Sequence, residues 1–233
     1  MPCTLPASLA DAAVCRGSFH AVLGGEAGEA VFADFSAALQ KAQAEGRILT
    51  ASLFRYENHL FFYAEGLNRP FTPQGLCPAL DAALLPWPPA LGEAAPRPWA
   101  ALQPYFYHDV PTTAADWQQG RCPQRRRGRI ALLPPDSWCS YMEHHLRIVT
   151  EGLVEGDRWH LIWVQEGGLF SYLEEPRTNV NIKHQPGAHS PELDAWIAAD
   201  PESHFARFTP EQKAHPDSSH NFVFLPRIAG TED

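Results

Sequence analysis

The chain repeats itself. Sliding the sequence by 109 residues sets about fifty residues of its two halves against each other without a gap. "HLFFYAEG" (residues 59–66) falls on "GLFSYLEE" (168–175), so that Leu60, Phe61, Tyr63 and Glu65 meet Leu169, Phe170, Tyr172 and Glu174. "TASLFRY" falls on "WHLIWVQ", and "FHAVLGG" falls on "GRIALLP". At a slightly longer offset "PYFYHDVP" (104–111) resembles "NFVFLPRI" (221–228). Self-similarity of this kind means one supersecondary unit built twice.

Each half reads in the same order. A short apolar run comes first, then turn residues, then an amphipathic helix over 30–45 or 136–155, with apolar positions at steps of three and four. Two strands joined by a tight turn follow, at "ENH" (57–59) and "EGG" (166–168). A Pro-rich loop leads to a second helix, clearest in "SPELDAWIAADPESHFARF". There Ser190 suits an N-cap, Pro191 the first turn, and Glu192 adds negative charge. A final strand closes the unit.

Strand–helix–strand–strand–helix–strand is the ferredoxin-like, split βαβ unit. One face of its sheet carries helices and the other is bare. The bare faces would hold Phe54, Phe61, Tyr63, Trp163, Phe170 and Tyr172, aromatic surface that is costly to leave in water. The expected fold is therefore α+β, with tandem ferredoxin-like units pressed sheet to sheet as an intrachain dimeric-type α/β barrel. The alternative is two independent domains on a linker. The expected boundaries are 17–112 for a degenerate first unit, 113–127 for a linker, and 128–228 for the second unit. The basic run Arg125, Arg126, Arg127 and Arg129 reads as part of a solvated linker.

The net charge of -9 argues against a nucleic-acid partner. Five widely spaced cysteines without a Cys-x-x-Cys pair argue against a disulfide framework or a zinc site and suit a reducing cytoplasm. The start of the chain has no cationic leader pattern, and no apolar stretch approaches the ~20 residues that span a bilayer. The expectation is a soluble cytoplasmic protein without membrane contact. Neither a nucleophile elbow nor a phosphate-cradling glycine loop is found.

The repeat diverges on the first helix. Tyr141 maps to Phe32, His145 to Ser36, and Glu143 to Asp34. The first half thus makes the same helix without the titratable pair. Residues four apart on a helix have Cβ atoms ~5–6 Å apart, so a phenol and an imidazole there can address one small ligand. Imidazole works as acid or base near neutral pH. The adjacent His144 is turned about 100° away. Spacing alone leaves open a plain core role for the pair.

The second half resembles the L-rhamnose mutarotase family. Tyr141, His145, Ile148 and Glu151 fall on that family's Tyr-x-x-x-His-x-x-Ile-Trp-Pro-Glu helix, with Val149 and Thr150 in place of Trp-Pro. "LIWVQEGGLFSYLEE" resembles its hairpin, "AADPESHFARF" its second helix, and "HPDSSHNFVFLP" its Asn-Pro-Asp segment and final strand. The resemblance covers residues 128–228. It implies a cofactor-free epimerase acting at a sugar's anomeric carbon, whose helix Tyr and His contact the sugar. It also implies a barrel made from two subunits, here a monomer with an internal pseudo-dimer. The family's Trp-Trp pair falls on Phe205 and Ala206.

The expected function is then interconversion of the anomers of an aldose, a 6-deoxy sugar among the candidates, without cofactor or metal. His145 would be the acid/base and Tyr141 its partner. Trp163 and Phe205 would line the pocket, and Arg177, Asn179 and Asn181 would contact sugar hydroxyls. Two other readings are a non-catalytic sugar-binding or interaction protein, and a haem- or metal-binding barrel using His144 or His145 with His160 or His204.

Overall fold

Strand alternation in the two hairpins organises the protein. The structure, a computed structural model, describes residues 5–177, 179, 182–213 and 216–231. In chain order the elements are β1 (Val14–Val22), α1 (Glu29–Ala44), β2 (Ile48–Tyr56), β3 (His59–Leu67), α2 (Pro78–Ala82), β4 (Ala100–Ala101) and β5 (Gln103–Tyr107). Then follow α3 (Ala114–Gln118), β6 (Arg125–Leu132), α4 (Pro135–Glu151), β7 (Val154–Glu155), β8 (Leu161–Gln165), β9 (Gly168–Glu175), β10 (Lys183–His184), α5 (Pro191–Ala198), β11 (Val223–Leu225) and β12 (Arg227–Gly230). The repeat extends to backbone conformation: both hairpin turns place a glutamate at φ 53°, Glu57 in one and Glu166 in the other. Among the described residues no helix is long and apolar enough to cross a membrane.

Two α+β units result, each with a five-stranded antiparallel sheet. In unit 1 the strand order is β12-β2-β3-β1-β4, and in unit 2 it is β11-β6-β9-β8-β5. Removing β12 or β5 leaves the ferredoxin-like order in each. The helical face of unit 1 is closed by Phe32, Phe35 and Leu39 of α1 against Leu53, Phe62 and Trp99. In unit 2 the corresponding layer contains Tyr141 and Ile148 of α4, Leu193 and Trp196 of α5, and Ile162, Val164 and Leu169 of the sheet.

The units are not the contiguous spans 17–112 and 128–228. Unit 1 consists of residues 1–102, 111–123 and 226–233, and unit 2 of residues 103–110 and 124–225. Each half ends in two short strands that part company. Ala100–Ala101 pairs with β1, but the next strand, β5, pairs with β8. Likewise β11 pairs with β6, but β12 pairs with β2. The structural counterpart of β5 is thus β12, each with a register shift midway. The match of residues 104–111 with 221–228 drawn from sequence does not hold. The physical reason is edge pairing: the outer strand of each hairpin has unpaired backbone groups, and the strand that satisfies them comes from the other half.

The expected linker is also structured. Thr113 caps α3 by accepting from the Asp116 amide at 3.1 Å. Arg121 forks onto buried Glu65 at 2.7 and 3.0 Å, while the Tyr63 hydroxyl and Trp117 indole donate to the same carboxylate at 2.8 and 3.0 Å. The arginine run is strand β6 rather than solvated chain. Arg126 faces Glu174 at 3.5 Å, and Arg127 meets Glu175 at 3.0 Å and Asp217 at 2.7 Å. Its charge is matched across the strands, which counting charges along the chain does not reveal.

Deleting residues 227–233 should strip unit 1 of an edge strand. β12 also holds Ser52 through the Arg227 guanidinium at 3.0 Å, and the Thr231 amide donates to the Ala51 carbonyl at 3.0 Å. At roughly 1 kcal/mol per hydrogen bond the expected loss is about 2–4 kcal/mol. Hydrogen exchange should report faster exchange in β2 while β8 and β9 keep their protection. Unchanged β2 protection would refute the assignment.

Candidate functional site

The two registers show where the copies differ. In unit 1, β1 and β3 set Phe19 opposite Phe62. In unit 2, β6 and β9 set Arg129 opposite Ser171. Leu53 opposite Phe62 corresponds to Ile162 opposite Ser171, which makes His160 the counterpart of Ala51. Four apolar positions of unit 1, Phe19, Phe62, Ala51 and Phe32, therefore become Arg129, Ser171, His160 and Tyr141. Unit 1 fills this space with rings: Phe35 and Phe62 lie 5.7 Å apart, and Phe62 and Trp99 6.2 Å apart. Unit 2 has a cavity of about 460 Å³ there.

Helix α4 buries one stripe, Tyr141, His145 and Ile148, of which Tyr141 and His145 line the cavity. It starts with Pro135 in its first turn and stops at Gly152, whose φ of 69° suits glycine. Relative to α1, which buries Phe32, Phe35 and Leu39, the buried stripe is rolled so that the Ser36 position, now His145, faces in. The Tyr105 hydroxyl, from β5, donates to the carbonyls of Tyr141 and Met142 at 2.9 and 3.1 Å and pins the helix. His145 Nδ1 lies 3.0 Å from the Tyr141 carbonyl oxygen. A carbonyl only accepts, so Nδ1 carries the proton and Nε2 keeps its lone pair. The rings of Tyr141, Phe106 and Trp196 surround the imidazole at 4.2, 4.8 and 4.8 Å.

Burial pushes the His145 pKa down to about 4; the Tyr141 carbonyl opposes this, and His144, His108 and His204 add to it. Burial also raises the Tyr141 phenol, against the pull of Arg129, so it stays a donor at neutral pH. Its hydroxyl bonds to no other described residue.

Across the cavity, His160 sits between two guanidinium groups. Arg129 Nη2 is 3.5 Å from its Nε2, and Arg177 Nη2 is 3.5 Å from its Nδ1. Burial, then the two arginines, hold its pKa well below the ordinary value. Arg177 Nε donates to buried Asp157 at 3.0 Å. Arg129 lies over the Phe222 ring at 4.3 Å, and its Nε is sealed from solvent without a partner. Burial and Arg177 push Arg129 down to about 10, while Tyr141 acts the other way; it remains a cation at neutral pH. His108 follows β5 into the same site and packs where a side chain on Gly156 would stand, 1.9 Å from its Nε2. Burial takes its pKa down to about 4, with Asp157 opposing and Arg177 assisting.

Of the residues expected from sequence, Tyr141, His145, Phe205 and Arg177 line the cavity. Trp163 does not. Its neighbours Ile162 and Val164 belong to the helix-facing core, so alternation along β8 turns Trp163 to the opposite face. Asn179 donates to the Gly156 carbonyl at 3.1 Å and is not part of the lining. Asn181 lies outside the described residues. The second helix is α5, capped by Ser190 as expected, with its hydroxyl accepting from the Leu193 amide at 3.0 Å. Phe205 follows a short 3-10 turn, residues 201–204, rather than standing on that helix.

Sequence reading missed Arg129, Ser171, His108, Asp157 and Trp196, all in the lining, and raised His160 only as a candidate metal ligand. Two signals were available, since the 109-residue alignment already sets Ser171 against Phe62 and His160 against Ala51. The third was hidden, because that alignment places Phe19 on Gly128, one residue from its partner in the sheet.

Among the described residues, the group of three side chains close enough to hold a metal is His184, His189 and Asp194, partly or fully exposed and outside the cavity. His184 Nδ1 accepts from the Ser190 amide at 3.0 Å, which leaves the proton on Nε2, 3.3 Å from Asp194. That is a hydrogen-bonded pair. Among the described residues the cavity histidines form no three-ligand set.

Acid should weaken unit 2 through these imidazoles. Unfolded, His108 and His145 take protons near pH 6.5; folded, they resist until about pH 4. The unfolded chain binds more protons between those values, so stability falls as pH drops through that window. At about 1.4 kcal/mol per pH unit, His145 alone contributes on the order of 2–3 kcal/mol by pH 4.5. Urea unfolding at pH 7.5 and 4.5 should show His145→Gln losing less stability than the parent by about that amount. Equal losses would show that His145 is not held neutral.

No protein-family model matches the sequence, and no curated protein matches it either. Solved structures that match include a "putative monooxygenase" from Lactobacillus acidophilus NCFM, at 8% identity and a TM-score of 0.38, over 94% of this chain and 96% of that one. Another is a "Putative monooxygenase" from Fusobacterium nucleatum, at 7% identity and a TM-score of 0.40, over 94% of each chain. Likeness at this level assigns no activity.

Proposed function

We propose that unit 2 is a cofactor-free isomerase of the aldose mutarotase type, acting on a small hydroxylated ring in the cavity lined by Tyr141 and His145. The observation that carries this reading is the fixed tautomer of His145. Its Nδ1–H is committed to the Tyr141 carbonyl, so the free lone pair at Nε2 belongs to a cavity-lining ring 4.2 Å from the Tyr141 ring.

Mutarotation needs a base for the anomeric hydroxyl and a donor for the ring oxygen. In the proposed step, His145 Nε2 takes the O1–H proton, the electron pair forms the C1=O1 double bond, and the C1–O5 bond breaks. The Tyr141 hydroxyl gives its proton to O5 and recovers one from the protonated imidazole. Rotation about C1–C2 and reversal of the same transfers close the ring on the other face. Protons and electrons balance within sugar and protein. A histidine whose pKa lies near 4 does not retain the proton; it passes it on, which suits a relay between two oxygens of one molecule. Phe106, Trp196 and Phe205 offer flat apolar faces to the C–H side of a pyranose.

Anomeric exchange can be followed by NMR over a panel of 6-deoxy and common aldoses. The expected result is acceleration of at least one sugar, falling by ~10²–10⁴-fold in His145→Ala. No acceleration for any sugar, or full rate in that variant, overturns the reading. Calorimetric binding of a sugar without acceleration would select the second reading, a sugar-binding protein.

A further inference from the structure

We infer that the ligand of this cavity carries a carboxylate, seated on Arg129; under the mutarotase reading, on which the sugar part of this inference rests, the substrate is a uronic acid rather than a neutral aldose.

The internal comparison shows first that the fold has no need of a cation here. Phe19 occupies the same register position in unit 1, opposite Phe62, and packs against an apolar core. Arg129 replaces that phenyl with a charge whose Nε is closed off from water and from every described acceptor. Leaving a guanidinium in that condition is unfavourable unless an anion meets it.

The acids that line the cavity do not meet that need. Asp157 is engaged by Arg177 at 3.0 Å. Glu202 is exposed and takes the Asn221 amide at 2.5 Å. Among the described residues no carboxylate pairs with Arg129. Its one polar approach is to His160, an imidazole held neutral, which cannot balance the charge.

The surroundings of Arg129 complete the argument. Ser171 lies directly across the strand pair from it, and its hydroxyl bonds to no described residue. Tyr141 likewise has an unused hydroxyl on the cavity wall. Guanidinium and serine hydroxyl both donate, which is the chemistry that receives a carboxylate, and the phenol is left for the ring oxygen beside it. The lone pair of His145 Nε2 is suited instead to a hydroxyl. A ligand with a carboxylate and hydroxyl groups on a compact ring satisfies both kinds of group.

The test is calorimetry on the full chain at pH 7, comparing D-glucuronate and D-galacturonate with D-glucose and D-galactose, and with gluconate, which keeps the carboxylate but has no pyranose ring. At least one uronate should bind ten-fold or more tightly than its neutral counterpart, with an advantage that shrinks as salt is raised. That comparison needs only the unaltered protein. Arg129→Met should abolish the advantage and raise the melting temperature of the free protein, because it removes an unpaired cation. Equal affinity for charged and neutral sugars, or an advantage that survives in Arg129→Met, overturns the carboxylate assignment. Uronate binding that depends on Arg129 without anomeric acceleration keeps the assignment and removes the mutarotase reading. Acceleration of neutral aldoses with no uronate preference does the reverse. Gluconate binding equal to that of the uronates keeps the carboxylate and removes the sugar ring.

Discussion

Everything in the two units depends on how the open edges of their hairpins are closed. A β-strand at the edge of a sheet exposes backbone donors and acceptors that must be paired or hydrated. Here the outer strand of each hairpin, β2 or β8, receives a strand from the other half of the chain, β12 or β5. The exchange settles the boundaries of the units and also furnishes the site. β5 delivers Tyr105 to the backbone of α4, Phe106 to the ring around His145, and His108 to the cavity wall. Neither half of the sequence, taken alone, contains the whole lining.

Duplication supplies an internal control that a single domain lacks. Both copies keep the Tyr-x-Glu pair on β3 and β9, with the tyrosine hydroxyl donating to the glutamate at 2.8 Å in one and 2.6 Å in the other. Both glutamates also face an arginine, Arg121 or Arg126. Such shared features belong to the architecture. The features that differ lie on the helical face, where unit 1 fills its space with aromatic rings and unit 2 is hollow and polar. Replacing Phe62 by Ser171 and Phe19 by Arg129 removes two rings and adds a charge. A change of that kind works against packing.

How much of this could be read from sequence follows from which interactions are local. The helix, the hairpin and the Ser190 cap depend on residues a few positions apart, and they stand as expected. The Tyr141/His145 pair is also local, an i,i+4 relation on one helix. What escaped depends on pairing between distant strands. The destination of β5 is decided by an edge more than fifty residues away, and nothing in "PYFYHD" records it. The arginines of β6 look like a solvated run until Glu174, Glu175 and Asp217 are set beside them. The one-residue difference between sequence alignment and sheet register hid Arg129, because a slip of one residue turns a side chain to the other face. Trp163 was misplaced for the same reason, since alternation along β8 puts it beside the site in sequence and behind the sheet in space.

Burial first, and charge second, explain the histidines of the cavity. An imidazole in water is half protonated near pH 6.5. His108, His145 and His160 all lie in one enclosed space with two guanidinium groups and a single buried carboxylate, already engaged. Burial is the first reason that all three are held in the neutral form; a proton on His160 would also stand beside Arg129 and Arg177, one on His108 beside Arg177, and one on His145 beside the other histidines. Burial, with the neighbouring histidines, keeps the lone pair of His145 available over the whole neutral range, at the expense of its strength as a base. An anion arriving at Arg129 would cancel part of the field at His160, the imidazole that faces both guanidinium groups. The proposed anion seat and the proposed base are thus set by different means, the one by charge and the other by burial.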